Sequence, residues 1–420
     1  MPATTISPSR LVQLCLVLMH IAGTMPLHPF LIVLVMTIKI NRKTQQNRNI
    51  RALNSRRRLF CRRPRFAFNS LKDYEVKRWF RFSKAEIRRL LPLLGLPDEV
   101  RTSWRSKCSS LEALCICLFR LSYANKWDRC VLLFGRAPSH LSGINLIVME
   151  HLVTHFGHLL KMPAYFTEPA RLRYFADAMW AKGCRFGHCV GFIDGTLRRM
   201  ARPKEMQRSV YNGHKKYHGI KFQNVTFADG MIVDQHGPYA GRRSDPYMMG
   251  ASGICARLNA RLRFQFIVSP GVDAAQAAAN LQLHTPLDAI APTFFSVDAA
   301  GNPTHIQYMI FGDKGYHAQP SGCILVPYKR YGGHELDADE LSFNRDMSTV
   351  RISVEGGFNK VVQQWGYLDN FKQLKANKVP VAGYYIAATL LTNFHTCLHG
   401  NQTATYFNVE PPTLEEYLGW

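Results

Sequence analysis

The stretch from His188 to Thr196, HCVGFIDGT, constrains the fold more than any other. An apolar run, Val190 to Ile193, ends at Asp194 and meets Gly195 at once. A run bounded by a turn signal predicts a buried strand. The acid would then be held at the rim of a sheet, where ligands of open α/β sheets sit. Taken alone, Asp194 reads equally well as the cap of a turn at Gly195. Asp313 repeats the setting: Gln307 to Phe311 is an apolar strand, and Gly312-Asp313-Lys314-Gly315-Tyr316 follows it.

The sequence around these two acids places them in an α/β domain that follows a helical one. From about Ser70 to Leu160 the periodicity is helical. Ser83 with Glu86 and Ser109 with Glu112 have capping-box spacing, and each opens an apolar periodic run. A third helix near Trp127 to Leu133 ends at Phe134-Gly135, and a fourth opens at Pro138-Ser139. That order suits a helix-turn-helix or a plain bundle, and the helix from Ser139 to His158 contains no Arg or Lys. Beyond Gly187 strands take over. Ile220 to Phe227 and Met231 to Asp234 form a hairpin about Asp229-Gly230. Tyr247 to Leu262 is helical, 264–305 looks inserted with an Ala-rich piece from Asp273 to Leu283, and Ile324 to Val326 is a short strand. Asn344 to Leu368 makes a long amphipathic helix, and Ala382 to Leu398 an apolar closing one.

The domain boundaries expected are an apolar and then basic arm over 1–66, a helical helix-turn-helix-like domain over 67–165, an α/β domain over 185–400 and a tail over 401–420. The net charge of +24 over 420 residues points to a polyanion, nucleic acid first and an anionic membrane second. Lys39 to Arg65 holds eleven Lys or Arg and no acid, which suits a nuclear-import signal, a phosphate-binding arm or the flank of a membrane anchor. Leu11 to Ile38 is apolar but broken by His20, Pro26, His28 and Pro29. It reads as a membrane or signal segment, a packed segment, or an extension outside the functional core. The eleven cysteines include no C-x-x-C pair. Cys184 and Cys189 around His188 make a poor zinc site and are expected to be buried free thiols.

A third acid, Glu355, lies in the long helix near one face with Ser348, Arg351 and Val362. A half-buried carboxylate needs a partner, and Arg351 or a metal ion would serve. Two strand-end acids and a helix acid together suit Mg²⁺ or Mn²⁺, which take oxygen ligands and keep positions for water and phosphate. Such ions support in-line phosphoryl displacement. Basic residues surround the first two strands: Arg198, Arg199, Arg202 and Lys204, then His214, Lys215, Lys216, His218 and Lys221.

In this setting the chain resembles the Harbinger-type (PIF/Harbinger) DDE transposases and the nucleases derived from them. The matching pieces are Phe192-Ile193-Asp194-Gly195-Thr196, Tyr211-Asn212-Gly213-His214-Lys215-Lys216, His218-Gly219-Ile220-Lys221 and Gly241-Arg242-Arg243-Ser244-Asp245. Gly312-Asp313-Lys314-Gly315-Tyr316 and Val326-Pro327-Tyr328-Lys329 follow. The last is the helix with Asn344, Ser348, Arg351, Val354-Glu355, Phe358 and Trp365. The resemblance implies an RNase H-like catalytic core, with Asp194, Asp313 and Glu355 as a metal-binding triad and Mg²⁺ or Mn²⁺ as cofactor. It adds Asp245 as a further metal ligand, although Asp245 beside Pro246 also reads as a helix N-cap. Arg198, Arg199, Lys215, Lys216, Lys221, Lys314 and Arg351 are the expected phosphate contacts. DNA as substrate, a Myb-like DNA-binding partner, a homo-oligomer and a nuclear location follow from the same resemblance. Two other outcomes stay open: a non-catalytic DNA-binding or scaffold protein on the same fold, and membrane association through residues 11–38.

Overall fold

A computed structural model describes residues 65–103, 106–265, 295–297, 303–316, 323–330, 335–376 and 378–419. The apolar run from Leu11 to Ile38, nearly all of the basic arm and the Ala-rich piece from Asp273 to Leu283 lie outside the described residues.

The helical part opens with α1 (Asp73–Phe80) and α2 (Lys84–Leu93). A small antiparallel hairpin follows, β1 (Glu99–Arg101) with β2 (Lys107–Ser109), where only helices were expected. Next come α3 (Ser110–Ser122), α4 (Trp127–Phe134), α5 (Pro138–Phe156) and α6 (Pro169–Trp180). The Ser83 box forms in both directions. At Ser109 only half of one forms: Ser109 Oγ accepts from the Glu112 N–H at 3.2 Å. The Glu112 carboxylate instead takes two hydrogen bonds from Arg136, at 2.5 and 2.8 Å, because a bidentate guanidinium outcompetes one backbone N–H. Gly135 closes α4 at φ 63°, a left-handed cap.

The α/β part carries β3 (Cys189–Arg199), the short α7 (Gln207–Val210), β4 (Tyr211–Asn212), β5 (Tyr217–Phe227) and β6 (Ile232–Ala240). Then follow α8 (Asp245–Ser252) and α9 (Ile254–Leu262), one expected helix broken in two at Gly253, where φ is 62°. The inserted region contributes β7 (Arg263–Gln265), β8 (Phe295–Val297) and β9 (Pro303–Gln307), a three-stranded sheet of their own. The chain returns through β10 (Met309–Gly312), β11 (Ile324–Leu325), α10 (Ala338–Gln364), α11 (Val381–His399), α12 (Gln402–Phe407) and α13 (Leu414–Leu418). The main sheet runs β11-β10-β3-β5, with β6 and β4 both on the outer edge of β5. β3, β5 and β6 are antiparallel, whereas β10 runs parallel to β3 and β11 parallel to β10. This mixed sheet flanked by helices is an RNase H-like core.

α11 joins the two parts. Its residues from Val381 to Phe394 are all buried. Toward the helices, the Tyr384 hydroxyl accepts from Asn145 of α5 at 2.9 Å. Toward the sheet, the Tyr385 hydroxyl accepts from Asn224 at 3.0 Å, Thr389 Oγ1 accepts from Gln235 at 2.9 Å, and Asn393 exchanges two hydrogen bonds with the Ile232 backbone. One continuous apolar cluster therefore runs from Phe68 to Tyr417. α5 is part of it: only Ser139, Thr154 and His155 of this helix are exposed, so little of it is open to a DNA groove. No helix among the described residues is long and apolar enough to cross a membrane.

The β5–β6 turn holds a fully buried acid, Asp229, whose Oδ1 accepts from Met231 N at 3.0 Å while Arg171 stands 4.0 Å away. Burial pushes this carboxyl up to about 6. The folded chain then keeps a proton that the unfolded chain has already released, so stability falls as pH rises between the two values. Asp229→Asn retains the acceptor and removes the titration. The stability difference, wild type minus variant, should fall by about 2–3 kcal/mol between roughly pH 4 and pH 7. Urea unfolding at both pH values measures it, and a flat difference would contradict the assignment.

Candidate active site

Asp194 is not at the end of its strand. β3 continues through it to Arg199, with Asp194 opposite Asn224 and Gly195 opposite Gln223 on β5. What ends beside Asp194 is the parallel neighbour, β10, whose Gly312 pairs with Ile193. Asp313 thus leaves β10 next to the point where Asp194 sits on β3. Each carboxylate is steadied by a backbone N–H: Gly195 N donates to Asp194 Oδ1, and Gly315 N to Asp313 Oδ1, both at 2.7 Å.

The sequence suggested a turn at Gly195, but its missing Cβ serves clearance instead. A Cβ there would come within 2.5 Å of Asp245 Oδ1, and one on Gly315 within 2.9 Å of both Asp245 Oδ2 and Asp313 Oδ1. The Asp245 carboxylate is seated against two glycines that adjoin the other two acids. Ser244, not Asp245, caps α8, with Ser244 Oγ accepting from Tyr247 N. Asp245 is the first helical residue, and its Oδ1 accepts from Lys221 Nζ at 3.0 Å.

The third element is α10, which packs against β3. Asn344 anchors it by accepting from Tyr328 N at 2.8 Å and donating to Tyr328 O at 3.0 Å. Lys329 donates to Tyr316 O at 3.2 Å, which ties this segment to the turn after Asp313. Two turns along the helix from Asn344, the Arg351 guanidinium lies 3.9 Å from Asp194 Oδ2. Arg351 therefore reaches across to the sheet. Glu355 is one helical turn further on, and its side chain lies outside the described residues.

The acids feel one another. Burial pushes the Asp194 carboxyl up to about 6, with Asp313 and Asp245 adding to the rise, against the pull of Arg351 and the Gly195 N–H. Burial also raises the Tyr316 phenol, and Asp245, Asp194 and Asp313 raise it further. Its hydroxyl is fully buried without a hydrogen-bond partner among the described residues.

A sheet that brings two acids together from neighbouring parallel strands, with a third element crossing them, narrows the choice of family. Residues 193–393 match the DDE superfamily endonuclease family. The match supports a DDE transposase-like nuclease in general and does not distinguish the Harbinger type. It contains Asp194, Asp245, Asp313 and Glu355. No curated protein and no solved structure matches the chain.

Members of the DDE endonuclease superfamily generally depend on divalent metal. Among the described residues, no three His, Cys, Asp or Glu side chains are gathered tightly enough to hold an ion by themselves. The donor chemistry nevertheless fits one. The acids supply only hard oxygens, their mutual repulsion calls for a cation, and the Tyr316 hydroxyl near them is a buried polar atom without a partner among the described residues.

The expected phosphate contacts divide into three groups. Lys221 and Arg351 are turned onto the acids. Arg198 folds inward, donating to Thr196 Oγ1 with its guanidinium 5.2 Å from the centre of the Tyr385 ring. Arg199, Lys215, Lys216 and Lys314 are exposed, and Arg199 lies 3.7 Å from the Phe371 ring centre. Cys184 and Cys189 are buried free thiols, as expected.

The clearance role of Gly195 is testable. Gly195→Ala pushes the Asp245 carboxylate off its seat. It should weaken Mn²⁺ binding by about 10–100-fold, the usual effect of disturbing groups that orient a metal's ligands, with little change in melting temperature. Titration calorimetry with Mn²⁺ and a thermal melt read the two quantities separately; unchanged affinity would count against the role.

Proposed function

We propose that the chain is a divalent-metal-dependent DNA endonuclease or transposase of the Harbinger type that cuts phosphodiester bonds with Asp194, Asp313 and Glu355. The observation that carries this reading is the β10–β3 register, which delivers Asp313 beside Asp194 within a stretch matching DDE endonucleases. Asp194, Asp245, Asp313 and Glu355 would hold Mg²⁺ or Mn²⁺, which would supply the positive charge to activate an attacking oxygen and stabilise the leaving one. The Gly195 and Gly315 N–H groups orient two of the carboxylates. Lys221 holds Asp245 against the two glycines, and Arg351 balances charge at Asp194. The exposed Arg199, Lys215, Lys216 and Lys314 would receive DNA phosphates. We place the protein in the nucleus, where its substrate is. A Myb-like partner would supply base readout, consistent with how little of α5 is exposed.

A second reading has its own support. Lys221 and Arg351 already pair with two of the acids, as they would in a non-catalytic DNA-binding relative that kept them as structural ion pairs. Supercoiled-plasmid nicking with and without Mn²⁺, alongside calorimetric Mn²⁺ titration, decides between them. Metal-dependent nicking and saturable binding support the enzyme. DNA binding with neither supports the scaffold.

A further inference from the structure

α1 and α4 flank α3, and a groove of about 460 Å³ lies between them, with no lining residue from the strands and helices that carry the site acids. Its floor is Phe119 of α3. Trp79 of α1 and Tyr123 line it with aromatic faces, and α4 contributes Leu132 and Leu133. The Tyr123 wall is fixed in place. Its hydroxyl donates to Arg78 O at 2.9 Å, its ring lies 5.1 Å from that of Phe119, and the Arg81 guanidinium sits 5.6 Å from its centre.

Leu132 is 70% exposed although it stands in a helix whose neighbouring turns pack into the core. It adds an aliphatic side chain in water to the aromatic walls of the groove. Arg78 and Arg129 stand among the groove's lining residues, are exposed, and have no ion-pair partner among the described residues.

We propose that this groove receives an amphipathic helix of a partner protein whose apolar side chains are flanked by Asp or Glu. Two helices standing either side of a third leave a trough that fits another helix. Apolar anchors at i, i+3 and i+4 would rest on Phe119, Trp79 and Leu132. Carboxylates on either side would meet Arg78 and Arg129, and a bidentate guanidinium pair there adds register as well as attraction. Leu132 and Leu133 favour a peptide over a nucleic-acid strand. A strand would stack bases on Trp79 and Tyr123 but would lay its phosphates along an aliphatic wall.

The test uses the full chain and a displayed library of amphipathic helices whose flanking positions vary freely among acidic, basic and neutral residues. Selection should enrich helices with acidic flanks. Binding of an enriched peptide, followed through Trp79 fluorescence, should weaken by at least about tenfold in Leu132→Glu and in the double variant Arg78→Glu, Arg129→Glu, as expected for central anchors. Both variants change exposed side chains, so the thermal melt should stay that of the wild type. Three results would overturn the proposal. One is enrichment of basic or charge-neutral flanks. Another is no enrichment over a Leu132→Glu bait. The last is a labelled single-stranded oligonucleotide whose binding, and not that of any peptide, is lost in Leu132→Glu. A change of oligomeric state in Leu132→Glu would instead assign the groove to a second copy of the chain, and would also overturn it.

Discussion

Asp313→Asn should reduce Mn²⁺-dependent nicking of supercoiled DNA by roughly a thousandfold or more, the scale on which preorganised charge stabilises a transition state. The substitution is nearly isosteric. An asparagine oxygen still accepts from Gly315 N, which donates to Asp313 Oδ1 at 2.7 Å, so the turn after β10 is kept. What goes is one negative charge beside Asp194, a carboxyl already pushed up to about 6 with help from that charge. The metal-free variant should therefore melt no lower than the wild type, and Asp194 should ionise at lower pH. Loss of nicking with an unchanged melt separates chemistry from folding. Full activity in the variant would remove Asp313 from the mechanism.

The largest effect on stability is expected from Trp365→Ala, at about 3–5 kcal/mol, as for other large aromatic deletions from a packed core. Trp365 follows α10, is fully buried, and donates from Nε1 to Thr392 Oγ1 of α11 at 3.0 Å. Its ring also lies 6.4 Å from that of Phe82, between α1 and α2. Removing it opens a cavity where α10, α11 and the first helices meet. Thr392 is not left stranded, because its hydroxyl still donates to Ala388 O at 2.8 Å, so the cost is mainly packing. Urea unfolding with two probes checks both the size of the loss and whether the transition stays cooperative. A change below about 1 kcal/mol would mean the site collapses around the gap.

Local pattern carried most of the elements. Alternating and periodic apolar residues located β5, α3, α4 and α11 to within a few residues, because burial of one face is written into their own sequence, whereas β6 runs six residues past the expected Asp234, to Ala240. The choice of partner was not legible in that way. Gly195 looked like a turn after a strand, yet the strand runs on, and the glycine is there because Asp245, 50 positions later, must sit against it. Helix spacing offers Arg351 as one partner for Glu355, four residues away, and gives no sign of Asp194, which Arg351 reaches across the sheet. Lys221, expected at a phosphate, also pairs with Asp245, 24 residues further on. Each of these depends on residues far apart in the chain, and no local period encodes which of several cations an acid will meet. Two acids at the ends of similar apolar runs were a usable signal, since equal settings on parallel neighbours bring equal positions together.

α11 also changes what counts as a separable piece of this protein. The stretch that matches DDE endonucleases starts inside β3 and stops at Asn393, within α11. Tyr384, on the side of α11 that meets α5, hydrogen-bonds to Asn145, far upstream of that stretch. A fragment trimmed to the matched residues would bare that side to water and strand a buried tyrosine. The matched portion is therefore best expressed with the helices from Asp73 onward attached, and any loss of activity on deleting those helices should be traced to unfolding before it is ascribed to DNA binding.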